Sequence, residues 1–190
     1  MPASTANQSN HVLPCVYGRL HIREFTAGDR ETLLEFTRQP DLLKYMIFSL
    51  ATEKEVDEFL YMAADQAARE DRTDWHLALE EKDRPGFIGS VALMREKDAP
   101  SSAELGYWFR REAWGKGYAT EASRFILEMG FTTIGLHRIW GKCHTENIAS
   151  ARVMEKLGMK REGTVREHVW MRDHYRSSRL YSILEQEYRA

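Results

Sequence analysis

The chain is 190 residues long, 43% hydrophobic and 29% charged, with a formal net charge of −2. That length suits one domain with a full-sized core, and the composition is that of a globular protein. The near-neutral balance gives no global pull toward nucleic acid or a membrane surface, and no stretch approaches the ~20 apolar residues of a membrane helix.

The polar residues 1–10 lack the basic start and apolar run of a signal peptide, and residues 1–14 are expected to form a loosely ordered tail before one domain spanning 15–190. Cys15 and Cys143 stand outside any metal-ligand spacing, which fits a reduced, cytoplasmic protein. Residues 17–25 (YGRLHIREF) turn Leu20, Ile22 and Phe25 inward and Arg19, His21 and Arg23 outward, the period of a half-buried strand. Asp29 is placed to cap a helix reaching about Arg38, with Leu33, Leu34 and Phe36 or Thr37 on its inner side and Pro40 as its stop. Residues 42–50 are short, aromatic and apolar, and read as either a helical turn or a flap over a pocket.

A second helix is predicted over 53–70 from the spacing of Val56, Phe59, Leu60 and Ala63, with Thr52 and Glu55 forming a capping box. Strands at 75–80 and 86–94 follow, joined by a turn through Asp83-Arg84-Pro85-Gly86. A break at Pro100-Ser101-Ser102 leads to a strand over 103–110. After a glycine-bearing turn come a helix at 118–133 with Gly135 as its C-cap and a strand at 137–143. A helix at 147–157 closed by Gly158 and two strands, about 159–171 and 179–187, complete the chain. Strands and helices intermix without repeat or linker, so the fold class is a single α/β or α+β domain.

The chemistry starts in residues 104–120, ELGYWFRREAWGKGYAT. A strand runs into Gly115-Lys116-Gly117 and a helix begins at once. Glycines allow close backbone approach, and the new helix aims unpaired N–H groups and its positive end at the turn, a site suited to a pyrophosphate. A Walker loop is excluded because Gly117 follows Lys116, and a dinucleotide fingerprint because Thr120 stands where a third Gly or Ala is needed. Alone, this piece reads equally as a tight turn.

Further residues carry a resemblance. Trp114-Gly115-Lys116-Gly117-Tyr118-Ala119 resembles the Gln/Arg-x-x-Gly-x-Gly/Ala turn of the GNAT superfamily, with Trp114 departing from the first position as in the branch that acetylates ribosomal-protein N-termini (RimJ/RimL-like). Residues 103–108 (AELGYW), 147–159 (NIASARVMEKLGM), 161–163 and 181–184 match that branch in order, and the likeness spans about 17–188. The resemblance implies a twisted, mostly antiparallel sheet of about seven strands flanked by helices, with two central parallel strands splayed around acetyl-CoA. Those strands would be residues 103–110 and 137–143. It also implies a cofactor site at the backbone near Phe109 and at Trp114, Gly115, Lys116, Gly117, Tyr118, Ala119 and Thr120, joined by Asn147 and Ser150. No metal is implied. The acceptor is an amine, and a homodimer is compatible although no residue demands one.

The reaction needs a neutral amine, a stabilised carbonyl oxygen and a protonated thiolate. By resemblance Glu104 is a general base acting through water; otherwise it pairs a neighbouring arginine. Many relatives place a tyrosine on the later helix as acid for the thiolate, but Met154 stands there. Ser150, one turn earlier on a compatible face, is the candidate thiolate donor or else a plain helix serine. Glu167 is a candidate second carboxylate, with Val169 an equal alignment. An α-amine near pKa ~7.8 costs about 1 kcal/mol to deprotonate at pH 7 and a lysine near ~10.4 about 4–5, so a protein or peptide N-terminus is the favoured acceptor. A small amine such as an aminoglycoside, polyamine or amino-acid-like toxin is the runner-up, and a non-catalytic acyl-CoA-binding module the alternative of another class. The basic stretch 160–179 reads as a solvated face or as a rim for an acidic ligand, and a nucleic-acid role is disfavoured by the net charge. His137, His144, His168 and His174 lack ligand spacing. Trp108, Trp114, Trp140 and Trp170 read as core and cleft wall, while Tyr45, Met46 and Phe48 line an acceptor pocket or form a local apolar cluster.

Overall fold

The computed structural model describes residues 13–39, 44–45, 52–171 and 173–189. In chain order the elements are β1 (Cys15–Tyr17), β2 (Leu20–Glu24), a 3-10 turn (Ala27–Asp29), α1 (Arg30–Thr37), α2 (Glu53–Ala68), β3 (Asp74–Glu81), β4 (Arg84–Arg95) and β5 (Ser102–Phe109). A second 3-10 turn (Arg111–Ala113) leads to α3 (Tyr118–Glu128), which widens into a π-helical turn (Met129–Ile134). Then come β6 (Arg138–His144), α4 (Ile148–Lys156), β7 (Lys160–Met171), β8 (His174–Leu184) and α5 (Glu185–Tyr188).

Among the described residues, eight strands form one sheet in the order β1-β2-β3-β4-β5-β6-β8-β7, antiparallel throughout except for parallel β5 and β6. The expected sheet of about seven strands gains its eighth because residues 17–25 are not one strand. Gly18, at φ 57, turns the chain so that β1 and β2 form a hairpin. The predicted tail also stops short. Leu13 packs against the main core and Cys15 opens β1, while residues 1–12 lie outside the described residues.

Alternation along the strands divides the core. Leu20, Ile22, Leu77, Leu79, Val91, Leu93, Leu105 and Phe109 face α3 and α4, whereas Ala78 and Phe87 face α1 and α2 with Phe25, Leu33, Leu34, Val56 and Ala63. The periodicities that predicted α1 and α2 thus find their partners on one face of the sheet. The Thr52–Glu55 capping box forms as expected. Asp29 does not cap α1 with its side chain. Its carboxylate turns back to accept from the Thr26 backbone N–H at 2.8 Å and from both terminal nitrogens of Arg23 at 2.7 and 2.8 Å. A bidentate guanidinium outcompetes a helix end for the same oxygens.

The predicted 118–133 helix changes pitch after Glu128, where Gly130 packs so tightly on Ile139 that a Cβ would lie 2.6 Å from its methyl; Gly135, at φ 75, ends it. The last strand begins at His174, five residues before the predicted 179, and stops at Leu184, where α5 takes over. Trp170, expected in the core or cleft wall, is 61% exposed and meets Tyr175 edge-on near the β7–β8 hairpin tip.

Candidate active site

The parallel ladder between β5 and β6 is short. Ser102, Ala103 and Glu104 pair with Arg138, Ile139 and Trp140, and the strands then part although β5 continues to Phe109 and β6 to His144. Arg110 N–H bonds Ile88 O, so by antiparallel alternation the backbone groups of Tyr107 and Phe109, beyond the end of the parallel ladder, point away from β4 and into the gap. Unpaired N–H and C=O groups at a gap can hydrogen-bond an amide-bearing arm as an added strand would. The Phe109 carbonyl is an exception to the expected backbone contact. It accepts the Trp114 indole N–H at 2.8 Å, which also fixes Trp114, half exposed, as a brace across the turn.

The turn itself has the geometry an anion site needs. Gly115 and Gly117 sit at φ 73 and 85, in the left-handed region, and Gly117 is the N-cap of α3 without a side-chain cap. The first N–H groups of α3 and its positive end therefore face the turn. A Cβ on Gly115 would meet nothing, and one on Gly117 would meet only Arg19 Nη2 at 3.6 Å, so the glycines answer to backbone conformation and space for a ligand, not to protein packing. Ala119 and Thr120 continue the first turn of α3. Tyr118 contributes backbone only, because its ring is buried and its hydroxyl donates to Glu81 at 2.9 Å.

Arg19 emerges here as a residue that sequence reasoning read only as the outer face of a strand. From the β1–β2 hairpin it donates to the Lys116 carbonyl at 3.1 Å, pairs with Glu121 at 2.6 Å and lies 4.6 Å over the Tyr118 ring. Lys116 itself reaches Glu81 at 3.8 Å. The turn is thus fastened to β2 and β3, and two cations border it.

Across the gap, Asn147 caps α4, its side-chain oxygen accepting the Ser150 N–H at 3.0 Å. That commits the Asn147 oxygen to the helix. Ser150 meets Tyr107 of β5, whose hydroxyl lies 2.8 Å from Ser150 Oγ and 3.0 Å from the Ser150 carbonyl. Cys143 is buried beside them. Burial pushes its thiol above the ordinary cysteine value, against the opposing pull of Arg179 and Ser150, so it offers no thiolate for a covalent route. Met154 packs in the core under Gly141, where a Cβ would lie 3.3 Å from its sulfur.

Glu104 lies on the opposite face. Side chains alternate along β5, so Glu104 shares the α1–α2 face with Trp140 and Lys142, while Tyr107 shares the α3–α4 face with Ser150. Its carboxylate forms an ion pair with Lys142 at 3.2 Å, both side chains about a quarter exposed (25% and 26%). The partner expected to be an arginine is instead a lysine on the neighbouring strand. Next to it opens a pocket of about 390 Å³ whose charged walls are Glu96, Arg138 and Lys142, with His168 and Ser178 as polar and Trp140 and Leu180 as apolar lining. Glu167 is not in that lining. It is exposed, at φ 46, in the bulged stretch of β7, its N–H bonded to Ser177 Oγ. Of the suggested acceptor-pocket residues, Tyr45 meets His144 at the open end of β6 with ring centroids 5.6 Å apart in a tilted arrangement; Met46 and Phe48 lie outside the described residues.

The acetyltransferase (GNAT) domain family model matches residues 19–160. The chain belongs to that family. Among curated relatives, the uncharacterized N-acetyltransferase YnaD of Bacillus subtilis is 33% identical over 170 residues, covering 90% of this chain and 96% of YnaD. A GNAT-family acetyltransferase structure from Bacillus anthracis superposes with a TM-score of 0.78 at 29% identity, covering 90% of this chain and 98% of that one. A Vibrio cholerae spermidine N-acetyltransferase solved with CoA and spermine has the same fold, with a TM-score of 0.77 at 22% identity over 90% of this chain and 99% of its own. The chain is thus a GNAT-type N-acetyltransferase. No described helix is long and apolar enough to cross a membrane.

Proposed function

We propose that this enzyme moves the acetyl group of acetyl-CoA to a protein or peptide N-terminal α-amine by direct attack in a ternary complex. The observation that carries the reading is the placement of Glu104 and Ser150 on opposite faces of the sheet, on either side of the gap where β5 and β6 part. Acetyl-CoA would lie on the α3–α4 face, its pyrophosphate at Gly115, Lys116, Gly117 and the start of α3 and its pantetheine arm along the open edge of β5. The acceptor would enter from the other face, beside Glu104 and the pocket.

The amine nitrogen then attacks the thioester carbonyl carbon. The C–S bond breaks with its electron pair on sulfur, where Ser150 donates a hydrogen bond. The proton lost by nitrogen passes to Glu104 through water, and the thiolate takes a proton from solvent water as CoA leaves.

A lysine side chain costs about 4–5 kcal/mol to deprotonate at pH 7 against about 1 for an α-amine, so the weaker base is the easier acceptor for a carboxylate acting through water. Relatives named for their acceptors include both a spermidine acetyltransferase and a ribosomal one, and the motif of residues 114–120 supports the second. Equimolar competition between a short peptide with a free N-terminus and spermidine, read by mass spectrometry, tests the choice. Acetyl on the peptide α-nitrogen is expected; acetyl on spermidine alone would move the function to small amines.

A further inference from the structure

We infer that Tyr107 is a positioning residue for acetyl transfer, setting the direction in which the Ser150 hydroxyl proton points. The inference rests on the reading that Ser150 faces the leaving sulfur, and it extends that reading to a second side chain on the other wall of the gap.

Tyr107 projects from the part of β5 that has already left β6, and crosses to the first turn of α4. Its hydroxyl has one proton and two acceptors on the same residue, Ser150 O at 3.0 Å and Ser150 Oγ at 2.8 Å. The two arrangements have different consequences. With the phenol proton on the carbonyl, the phenol oxygen is left to accept the serine proton, which is then held by the phenol. With the phenol proton on Oγ, the serine proton is released to point elsewhere, including toward a sulfur carrying negative charge. As the C–S bond breaks, growing charge on sulfur favours the second arrangement and a donor chain from Tyr107 through Ser150 to sulfur, each bond polarising the next.

Tyr107 gives no proton away in this scheme. Burial pushes its phenol well above the ordinary tyrosine value, against the opposing bond from Ser150, so a phenolate is disfavoured and the ring acts by hydrogen bonding alone. Met154 has no proton to donate, and Cys143, which also shares a side-chain hydrogen bond with Ser150, stays a neutral thiol. The same two contacts hold the first turn of α4 against β5 through the Ser150 carbonyl, so the phenol both locates the serine and orients it.

Tyr107→Phe removes only the hydroxyl and keeps the ring in the core, and a thermal melt confirms that the variant is folded. The test is a double-mutant cycle with Ser150→Ala, measuring kcat, KM for acetyl-CoA and CoA affinity for all four proteins. Tyr107→Phe is expected to lower kcat about ten-fold, the scale of one hydrogen bond made to a charged state, while KM for acetyl-CoA stays within about two-fold. On the Ser150→Ala background the same change is expected to cost less than about two-fold, because its target is gone. Equal losses on both backgrounds, or a wild-type kcat in Tyr107→Phe beside a slowed Ser150→Ala, would overturn the inference and leave Ser150 standing. A wild-type kcat in Ser150→Ala would remove the serine's own role, and Tyr107's with it.

Discussion

Replacing Gly117 separates two reasons for a glycine at the turn. The residue sits at φ 85 and ψ 1 as the N-cap of α3. An L-residue in this left-handed region costs about 1–2 kcal/mol. Nothing in the protein blocks a side chain, since a Cβ would meet only Arg19 Nη2 at 3.6 Å. Gly117→Ala should therefore fold and lose about 1–2 kcal/mol, a fall in Tm of about 2–8 °C for a domain of this size. If the free turn relaxes to escape the strain, CoA binding must restore it, and affinity drops about 5–30-fold for the same energy. Gly117→Asn decides the cause, because asparagine tolerates the left-handed region. If conformation alone matters, Asn at 117 recovers most of both losses; if a ligand phosphate packs where the Cβ would be, stability recovers and affinity does not. Thermal melts and calorimetric titration with CoA read the two quantities. Unchanged Tm and unchanged CoA affinity in Gly117→Ala would refute the assignment of this turn as a strained phosphate site.

Glu104→Gln should lower kcat by about 10²–10³-fold near pH 7 with CoA affinity nearly intact, as expected for loss of a general base; steady-state kinetics at full activity would return Glu104 to its ion pair with Lys142. Arg19→Met should weaken CoA binding several-fold, and the wild-type affinity should fall more steeply with salt than the variant's; parallel salt dependence would limit Arg19 to bracing Lys116. Asp29 is 5% exposed, and although burial alone would raise its pKa, the Arg23 fork and the Thr26 N–H hold it below the usual carboxylate range. A carboxyl depressed in the fold stabilises above the unfolded value near ~3.9 and loses that contribution as pH falls through the folded one. Asp29→Asn should cost about 2 kcal/mol at pH 7 and flatten the acid limb below pH ~4 in urea melts; an unchanged acid limb would contradict the network.

Much of this was legible in the chain because the signals were local. The capping box at Thr52 and Glu55, the Gly135 stop and the glycine turn before Tyr118 each sit within a few residues, and each formed. Hairpin β1–β2 was missed because Gly18 interrupts an alternation that reads unbroken through it, and only pairing reveals the reversal. Lys142 beside Glu104, Arg19 beneath Lys116 and Tyr107 against Ser150 are contacts 38, 97 and 43 residues apart. They depend on which strands are neighbours and how far a ladder runs before it splits, and a period or a spacing carries neither. The same holds for the Phe109 carbonyl, which accepts the Trp114 indole N–H.

The most direct test of the central claim is release of free thiol from acetyl-CoA by the purified enzyme across peptides with free or blocked N-termini, lysine side chains, polyamines and aminoglycosides. The account predicts release that requires a free peptide α-amine, matched mole for mole by N-terminal acetylation, and abolished by blocking that amine. Saturable acetyl-CoA binding with no amine-dependent thiol release in any arm would contradict it.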